Sequence, residues 1–230
     1  MNNLEALISN WRTERIPETI AGRTKRVYDL VSRIYPVSSR LFHQRAHGLA
    51  LDMADIRDGV RVLEIATGSG EMFSRITKAN PQGMNVGIDL ASSMAAATQR
   101  HVRKRHPEAR CGFQAGDARQ MPFRDGVFDH VFCCYLLELL AANDIVRTLH
   151  EVHRILKPEG RFTLILIGRS RNYFNRAYRV ASKVVPAFWG QQVDDGRMPQ
   201  ILEASGFRFG QAKEVVQTLY PSRVLLMHKK

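Results

Sequence analysis

The stretch Val62-Leu63-Glu64-Ile65-Ala66-Thr67-Gly68-Ser69-Gly70 constrains the fold of this chain more than any other. Val60 to Ile65 is a short β-branched run bounded by glycine, and it reads as a buried strand. Gly68 and Gly70 remove Cβ where the backbone must turn tightly or come close to a ligand. Glu71 to Ala79 then reads as a helix stopped by Asn80 and Pro81. The start of such a helix offers unpaired N–H groups to a carboxylate or phosphate.

The same alternation continues downstream. Asn85 to Asp89 reads as a second strand, Ala91 to His106 as a long helix, and Cys111 to Ala115 as a weaker third strand. Val127 to Cys134 is a fourth strand, Asp144 to Leu156 a helix ending at Lys157-Pro158, and Arg161 to Ile167 a fifth strand. Strands apolar on both faces, alternating with helices, are the signature of a doubly wound, mostly parallel sheet. The rhythm then breaks. Pro199 to Ala204 is a helix stopped at Gly206. Phe207 to Gln217 and Val224 to His228 read as strands joined through Tyr220-Pro221-Ser222, a connection short enough to require an antiparallel hairpin. Upstream of the sheet, Leu41 to Met53 reads as an amphipathic helix.

Asp89 stands nineteen residues after Gly70, at the end of the second strand. An acid there accepts hydrogen bonds from both hydroxyls of a ribose, so a nucleoside-bearing ligand is expected at the carboxyl ends of the strands. A dinucleotide fold wants a third glycine where this chain has Phe73, which disfavours a nicotinamide oxidoreductase. Asp89 also reads as a helix N-cap for the residues from Ala91 onward.

Over residues 57–230 the chain resembles the class I S-adenosylmethionine-dependent methyltransferases. The match is carried by Glu64 with Gly68 and Gly70, by Gly87-Ile88-Asp89-Leu90, and by Gly116-Asp117-Ala118 followed by Met121-Pro122-Phe123 and Phe128-Asp129. Leu156-Lys157-Pro158-Glu159-Gly160-Arg161 completes it. The resemblance is closest to the ubiquinone/menaquinone-biosynthesis type, which carries alanine at the first loop glycine, here Ala66. Tyr28-Asp29-Leu30 is similar to the N-terminal cap of that group. The resemblance implies a Rossmann-like seven-stranded sheet, a helical cap over residues 1–56, and a basic aromatic lid inserted at 169–197. It implies S-adenosylmethionine as cofactor, held by Glu64, Ala66, Gly68, Gly70, Asp89, Leu90, Met94, Asp117, Ala118 and Tyr135. Glu64 would face loop N–H groups and the cofactor's ammonium, Asp89 the ribose, and Asp117 the adenine amino group.

The acceptor is less constrained. Tyr28, His43, Tyr135 and Asp194 are candidates for any proton transfer. Aromatic residues in the cap and lid (Tyr28, Tyr35, Phe42, Tyr173, Phe174, Tyr178, Trp189) suit an apolar or aromatic small molecule, with quinone-like C-methylation favoured. Phospholipid head-group N-methylation is the alternative, since those enzymes show a similar cap and core. A non-catalytic RNA-bound adaptor is a further reading. The Cys134-Tyr135-Leu136-Leu137 run lacks the Pro-Pro-aromatic motif of nucleic-acid amino-methyltransferases, so no DNA substrate is expected. His43 and His47 share a helix face, but no third ligand joins them, so no metal is expected.

Charge bears on partners. Lys and Arg number 34 against 22 Asp and Glu, giving +12. Residues 99–110 hold five of the bases against one acid and read as a solvated helix face. Residues 169–183 hold five with no acid, interleaved with aromatics, a pattern that suits a membrane surface, a substrate lid or an RNA contact, among which charge alone does not choose. The three cysteines, Cys111, Cys133 and Cys134, form no ligand or disulfide spacing and suit a reducing compartment. The first ten residues show no signal-peptide run. The longest apolar stretch, Val131 to Ala142, is broken by Glu138 and falls short of the roughly 20 residues a bilayer span needs. A cytoplasmic protein, peripheral at the inner membrane face, is expected.

Overall fold

The computed structural model describes residues 35–168, 198–217 and 221–230, with side chains from His43 onward. Tyr28, Asp194, the first part of the expected cap and the expected 169–197 lid lie outside the described residues, as do the side chains of Tyr35 and Phe42.

Helix α1 (Tyr35–Ala54) leads into β1 (Arg61–Ile65), α2 (Glu71–Ala79), β2 (Met84–Asp89), α3 (Ser92–Arg105) and β3 (Cys111–Ala115). Then come β4 (Phe128–Cys134), a 3-10 turn (Leu137–Leu139), α4 (Ala142–Ile155), β5 (Leu156–Ile167), α5 (Met198–Ala204), β6 (Phe207–Val216) and β7 (Pro221–Lys229). The seven strands form one sheet in the order β3-β2-β1-β4-β5-β7-β6. The first five are parallel to one another, and β7 is antiparallel to both β5 and β6. The doubly wound sheet with a C-terminal hairpin is therefore as the sequence predicts.

Each face of the sheet carries its own apolar layer. On one face Leu63, Ile65, Val131, Phe162, Leu164 and Leu225 meet α4 and α5 through Ile145, Leu149, Val152 and Ile201. On the other, Val62, Phe132, Ile165, Val224 and Leu226 meet α1 through Ala46, Ala50, Met53 and Ala54, and α2 through Met72 and Ile76. The small residues on α1 let its backbone lie close to the sheet. Burying each of the larger side chains contributes about 1.5–3 kcal/mol, so both layers contribute to holding the sheet together.

Local chemistry sets the element ends. Helix α2 starts at Gly70 in the left-handed region (φ 77°), with Glu71 in its first turn and Lys78 in its last, matching the helix dipole. It stops at Asn80, whose fully buried amide donates to the Val60 carbonyl and to Asn85 Oδ1, both at 2.9 Å, while its Oδ1 accepts from the Gly59 and Val60 amides. This network pins the amino ends of β1 and β2 together.

Three boundaries differ from the sequence expectation by more than two residues. Helix α1 begins at Tyr35, six residues earlier than Leu41. Strand β5 begins at Leu156, because Leu156 pairs with Phe128 before Arg161 pairs with His130. The intervening Lys157-Pro158-Glu159-Gly160 loops out, with Glu159 at φ 60° and no room for a side chain at Gly160, where a Cβ would press on the Lys157 carbonyl. Pro221 and Ser222, expected in the hairpin connection, already belong to β7, where a proline is tolerated as first residue.

Candidate active site

The carboxyl ends of β1, β2 and β4 lie side by side, and the glycine bend sits on their crest. The chain leaves β1 at Ala66 (φ 58°), a left-handed conformation that a side chain rarely takes, and turns through Gly68 (φ 51°) and Gly70 (φ 77°) into α2. The bend is held from three sides. The Thr67 amide donates to the Ile88 carbonyl at 3.2 Å. The Gly68 amide donates to Asp89 Oδ2 at 2.9 Å. Thr98 of α3 donates to the Gly68 carbonyl at 3.1 Å. A Cβ on Gly70 would press against Thr98, so glycine is required there for close approach as well as for φ.

Asp89 serves two backbones at once. Its Oδ1 accepts from the Ala91 amide at 3.0 Å, fixing the entry to α3, while Oδ2 holds the glycine bend. Asp89 is not the N-cap the sequence offers: that position is Ala91, without a side-chain cap hydrogen bond, and Asp89 holds the amide of this residue just outside the helix. Leu90 beside it is 47% exposed, an apolar side chain left open at the rim, and Met94 one turn into α3 is buried.

Glu64 lies under the bend, 2% exposed. Its strand partners are Gly87 on β2 and Phe132 on β4. Its Oε2 is buried with no hydrogen-bond partner among the described residues. Burial pushes its carboxyl well above the usual range, and the neighbouring charge of Asp89 adds to the shift. A buried acid with an orphaned oxygen needs a donor or a cation.

Phe73 occupies the place of a third dinucleotide glycine. It is fully buried against Phe113, ring centroids 4.7 Å apart, and Gly87 on β2 makes the room, since a Cβ there would meet both rings. The helix–strand approach is thus set by an aromatic pair instead of a glycine.

Asp117 follows β3 and is gripped by Arg119, whose Nη2 donates to Oδ2 at 2.7 Å and whose backbone and Nε both donate to Oδ1 at 2.9 Å. Arg119 also reaches Asp144 Oδ2 at 3.0 Å on α4. These hydrogen bonds hold the Asp117 carboxyl below its ordinary range. Ala118 packs against the core beside it.

Tyr135 leaves β4 in the left-handed region (φ 56°), so β1 and β4, adjacent strands, both end in a strained non-glycine residue. Its ring stacks on His43 of α1 with centroids 4.4 Å apart. Two of the candidates for proton transfer are therefore together. Sequence reasoning missed what holds them. Gln217 donates through Nε2 to the Tyr135 hydroxyl at 3.0 Å and to Ser222 Oγ at 2.6 Å, and its Oε1 accepts from the Ala46 amide at 3.3 Å. The Tyr135 and Ser222 hydroxyls are 2.8 Å apart. Burial pushes the Tyr135 phenol up, beyond physiological titration, and pushes His43 down to about 4, so near neutrality one is a donor and the other a neutral imidazole. Glu138, also missed, is buried and accepts from the Ile167 amide at 2.6 Å, tying the turn after β4 to the end of β5. Among the described residues no group of three metal-binding side chains assembles, and no helix is long and apolar enough to cross a membrane.

Comparison with known proteins agrees with this geometry. The sequence profile described as "Methyltransferase domain" matches residues 62–160, which run from β1 through the loop before Arg161. The demethylmenaquinone methyltransferase of Thermus thermophilus is 33% identical over 165 residues, 71% of each chain. A ubiquinone/menaquinone biosynthesis C-methyltransferase of Geotalea uraniireducens is 28% identical over 75% of this chain and 71% of its own. The crystal structure of a SAM-dependent methyltransferase from Aquifex aeolicus superposes with a TM-score of 0.64 over 84% of this chain and 92% of that one, at 20% identity, showing the shared fold. With its glycine bend latched to Asp89 on a sheet of this order, the chain belongs to the S-adenosylmethionine-dependent methyltransferases of the ubiquinone/menaquinone-biosynthesis type.

Proposed function

We propose that this methyltransferase acts on a ring carbon of a small quinone-like molecule at the rim beside Tyr135. The names of the relatives, which act on demethylmenaquinone and on related quinones, support this acceptor. The observation that carries the cofactor half of the reading is the Gly68–Asp89 hydrogen bond, on the strand next to a buried Glu64 whose Oε2 has no partner among the described residues.

The residues present fit S-adenosylmethionine, which supplies an electrophilic methyl group on a sulfonium. Glu64 offers its unsatisfied oxygen to the ammonium of the amino-acid end. Asp89 offers its carboxylate to the ribose hydroxyls while its other hydrogen bonds fix its orientation. Leu90 and Met94 provide an apolar wall on the α3 side, and Asp117 with Ala118 provides the edge facing the base. Ala66, Gly68 and Gly70 keep the crest low enough for close approach. Because charge on sulfur falls as the methyl leaves, the chain's main task is alignment, which supplies roughly 7–11 kcal/mol in well-oriented reactions.

On the acceptor side, a ring hydroxyl must lose its proton for the carbon to become nucleophilic. His43, lowered by burial to about 4, is too weak a base to carry that proton and suits accepting a hydrogen bond from the hydroxyl, while Tyr135, which stays protonated, suits a donor that orients the acceptor's oxygen. Tyr28 and Asp194 remain candidates from the sequence. The cap and the 169–197 segment would cover the rim and exclude water. An acceptor with a lipid tail brings the enzyme to a membrane surface, and the +12 charge favours an anionic one.

The test is methyl transfer from labelled S-adenosylmethionine to a naphthoquinol lacking its ring methyl, run beside phosphatidylethanolamine vesicles and RNA. Label on the quinol carbon is expected. Label on the lipid amine would replace this reading with the head-group one.

A further inference from the structure

Glu64 and Asp89 place two carboxyl groups together at the ends of adjacent parallel strands, one fully enclosed and one fixed by two amides. Asp89 has its hydrogen bonds built in. Glu64 has an enclosed oxygen without a donor among the described residues, in a protein whose surface is strongly basic. Among the described residues no donor reaches Glu64 Oε2. The groups around it deepen the point. Asp89 on β2 repels a second negative charge. On β4, Cys133 and Cys134 hold thiols pushed well above their usual range, partly by Glu64 itself. On α1, packed over this face, His43 and His47 are neutral because burial and, for His47, the nearby Arg75 of α2 disfavour their charged forms.

We infer that Glu64 holds a proton in the ligand-free protein and releases it when a ligand bearing an ammonium group enters. The inference rests on the cofactor reading above and adds to it a proton that leaves Glu64 as the ligand enters. The driving force is electrostatic. An ammonium beside Oε2 supplies the partner that the carboxylate lacks, and in an enclosed site that interaction is large. Release of a proton makes affinity rise with pH, by up to about tenfold per pH unit while the carboxyl of the ligand-free protein is protonated.

The experiment is titration calorimetry of the full chain with S-adenosylhomocysteine and with 5′-methylthioadenosine, which keeps the adenosine and lacks the amino-acid end. Each titration is run at pH 7 in phosphate and in Tris, whose ionisation enthalpies differ. The slope of heat against buffer enthalpy counts protons. S-adenosylhomocysteine is expected to release close to one proton and to tighten about tenfold from pH 6 to pH 7. Methylthioadenosine is expected to release none and to bind independently of pH. Glu64→Gln should still bind S-adenosylhomocysteine, without proton release. Equal proton counts for the two ligands, or no release by either, overturn the Glu64 role while leaving the cofactor site standing. No binding of either ligand overturns both.

Discussion

The amide of Gly68 donates to Asp89 Oδ2 at 2.9 Å, so the residue at the top of the glycine bend and the acid at the end of the neighbouring strand are bonded to each other before any ligand arrives. Asp89 is also bonded to the Ala91 amide. One carboxylate therefore fixes a loop, a helix entry and its own orientation. Side chains held in this way bind with little further ordering cost.

Replacing Asp89 by Asn keeps the shape and removes the charge. The amide has one acceptor oxygen for two backbone donors, so either Gly68 or Ala91 must face an NH2 group. The apo protein should lose about 1–2 kcal/mol of stability. S-adenosylhomocysteine affinity should fall more than tenfold, since a charged hydrogen bond is worth roughly 1.5–3 kcal/mol. Calorimetry checks both numbers, and unchanged affinity would remove Asp89 from the ribose position.

Ala66→Gly should stabilise the protein. Ala66 sits at φ 58°, where an L residue other than glycine pays roughly 1–2 kcal/mol. Glycine removes that strain and costs roughly 0.5–1 kcal/mol through the greater freedom of the unfolded chain. The balance is a gain of about 0.5–1 kcal/mol, or a Tm rise of about 1–4 °C for a chain of this length. Ala66→Val, with a β-branched side chain in the same conformation, should lower the Tm instead.

The glycine bend, Glu64 and Asp89 were legible in the sequence because their spacing is local to one strand–turn–helix–strand unit. The Phe73 position pointed away from a dinucleotide fold, but its partner Phe113 and the space supplied by Gly87 appear only when β2 and β3 pair. Gln217 and Ser222 were not legible as site residues. They meet Tyr135 across 82 and 87 residues of sequence, through the antiparallel return of β7, and carry no local signature. The same holds for Arg154, which gathers Met121, Phe123 and Asp125 onto α4 over some thirty residues, with Nη1 on the Phe123 carbonyl at 2.7 Å and on Asp125 Oδ1 at 2.8 Å. Long-range polar contacts follow from topology, and the sequence carries topology only through its apolar pattern.

Acid should unfold this protein early. His43, His47 and His130 are buried with their pKa values pushed down by burial, His43 to about 4; His130 shares a hydrogen bond with Thr163 Oγ1 at 2.8 Å. Below the unfolded histidine value the unfolded chain binds more protons than the folded one, so stability falls as pH falls. The loss begins near pH 6.5 and for His43 continues to about pH 4, reaching about 2 kcal/mol at pH 5 from that residue alone. Glu64 has the opposite sign, because its raised pKa makes the folded state the stronger proton binder, so its contribution fades as pH rises above the ordinary carboxyl range. Urea midpoints measured from pH 4.5 to 8 should therefore rise through pH 5–6.5, where three histidines outweigh Glu64, and then decline while folded Glu64 still holds its proton. His130→Asn should flatten the acid limb; an unchanged limb would show that His130 is not neutral in the folded state.

Removing Gln217 should cost more than removing the Tyr135 hydroxyl. Gln217 is buried and serves three partners on three elements: the Ala46 amide on α1, the Tyr135 hydroxyl after β4, and Ser222 on β7. Gln217→Leu leaves two buried hydroxyls to repair themselves, at about 1–3 kcal/mol for each group left unsatisfied, and removes the tie to the Ala46 amide, which keeps its place in the α1 ladder. Tyr135→Phe keeps the ring on His43, and Gln217 still donates to Ser222 Oγ, so its cost is about 1 kcal/mol. Thermal melts should show the leucine variant lower by several degrees more than the phenylalanine one. Because Gln217 joins α1 to the hairpin, the leucine variant should also speed amide exchange at Ala46, and the phenylalanine variant should leave it protected. The reverse order of stabilities would move the centre of this cluster from the Gln217 amide to the phenol.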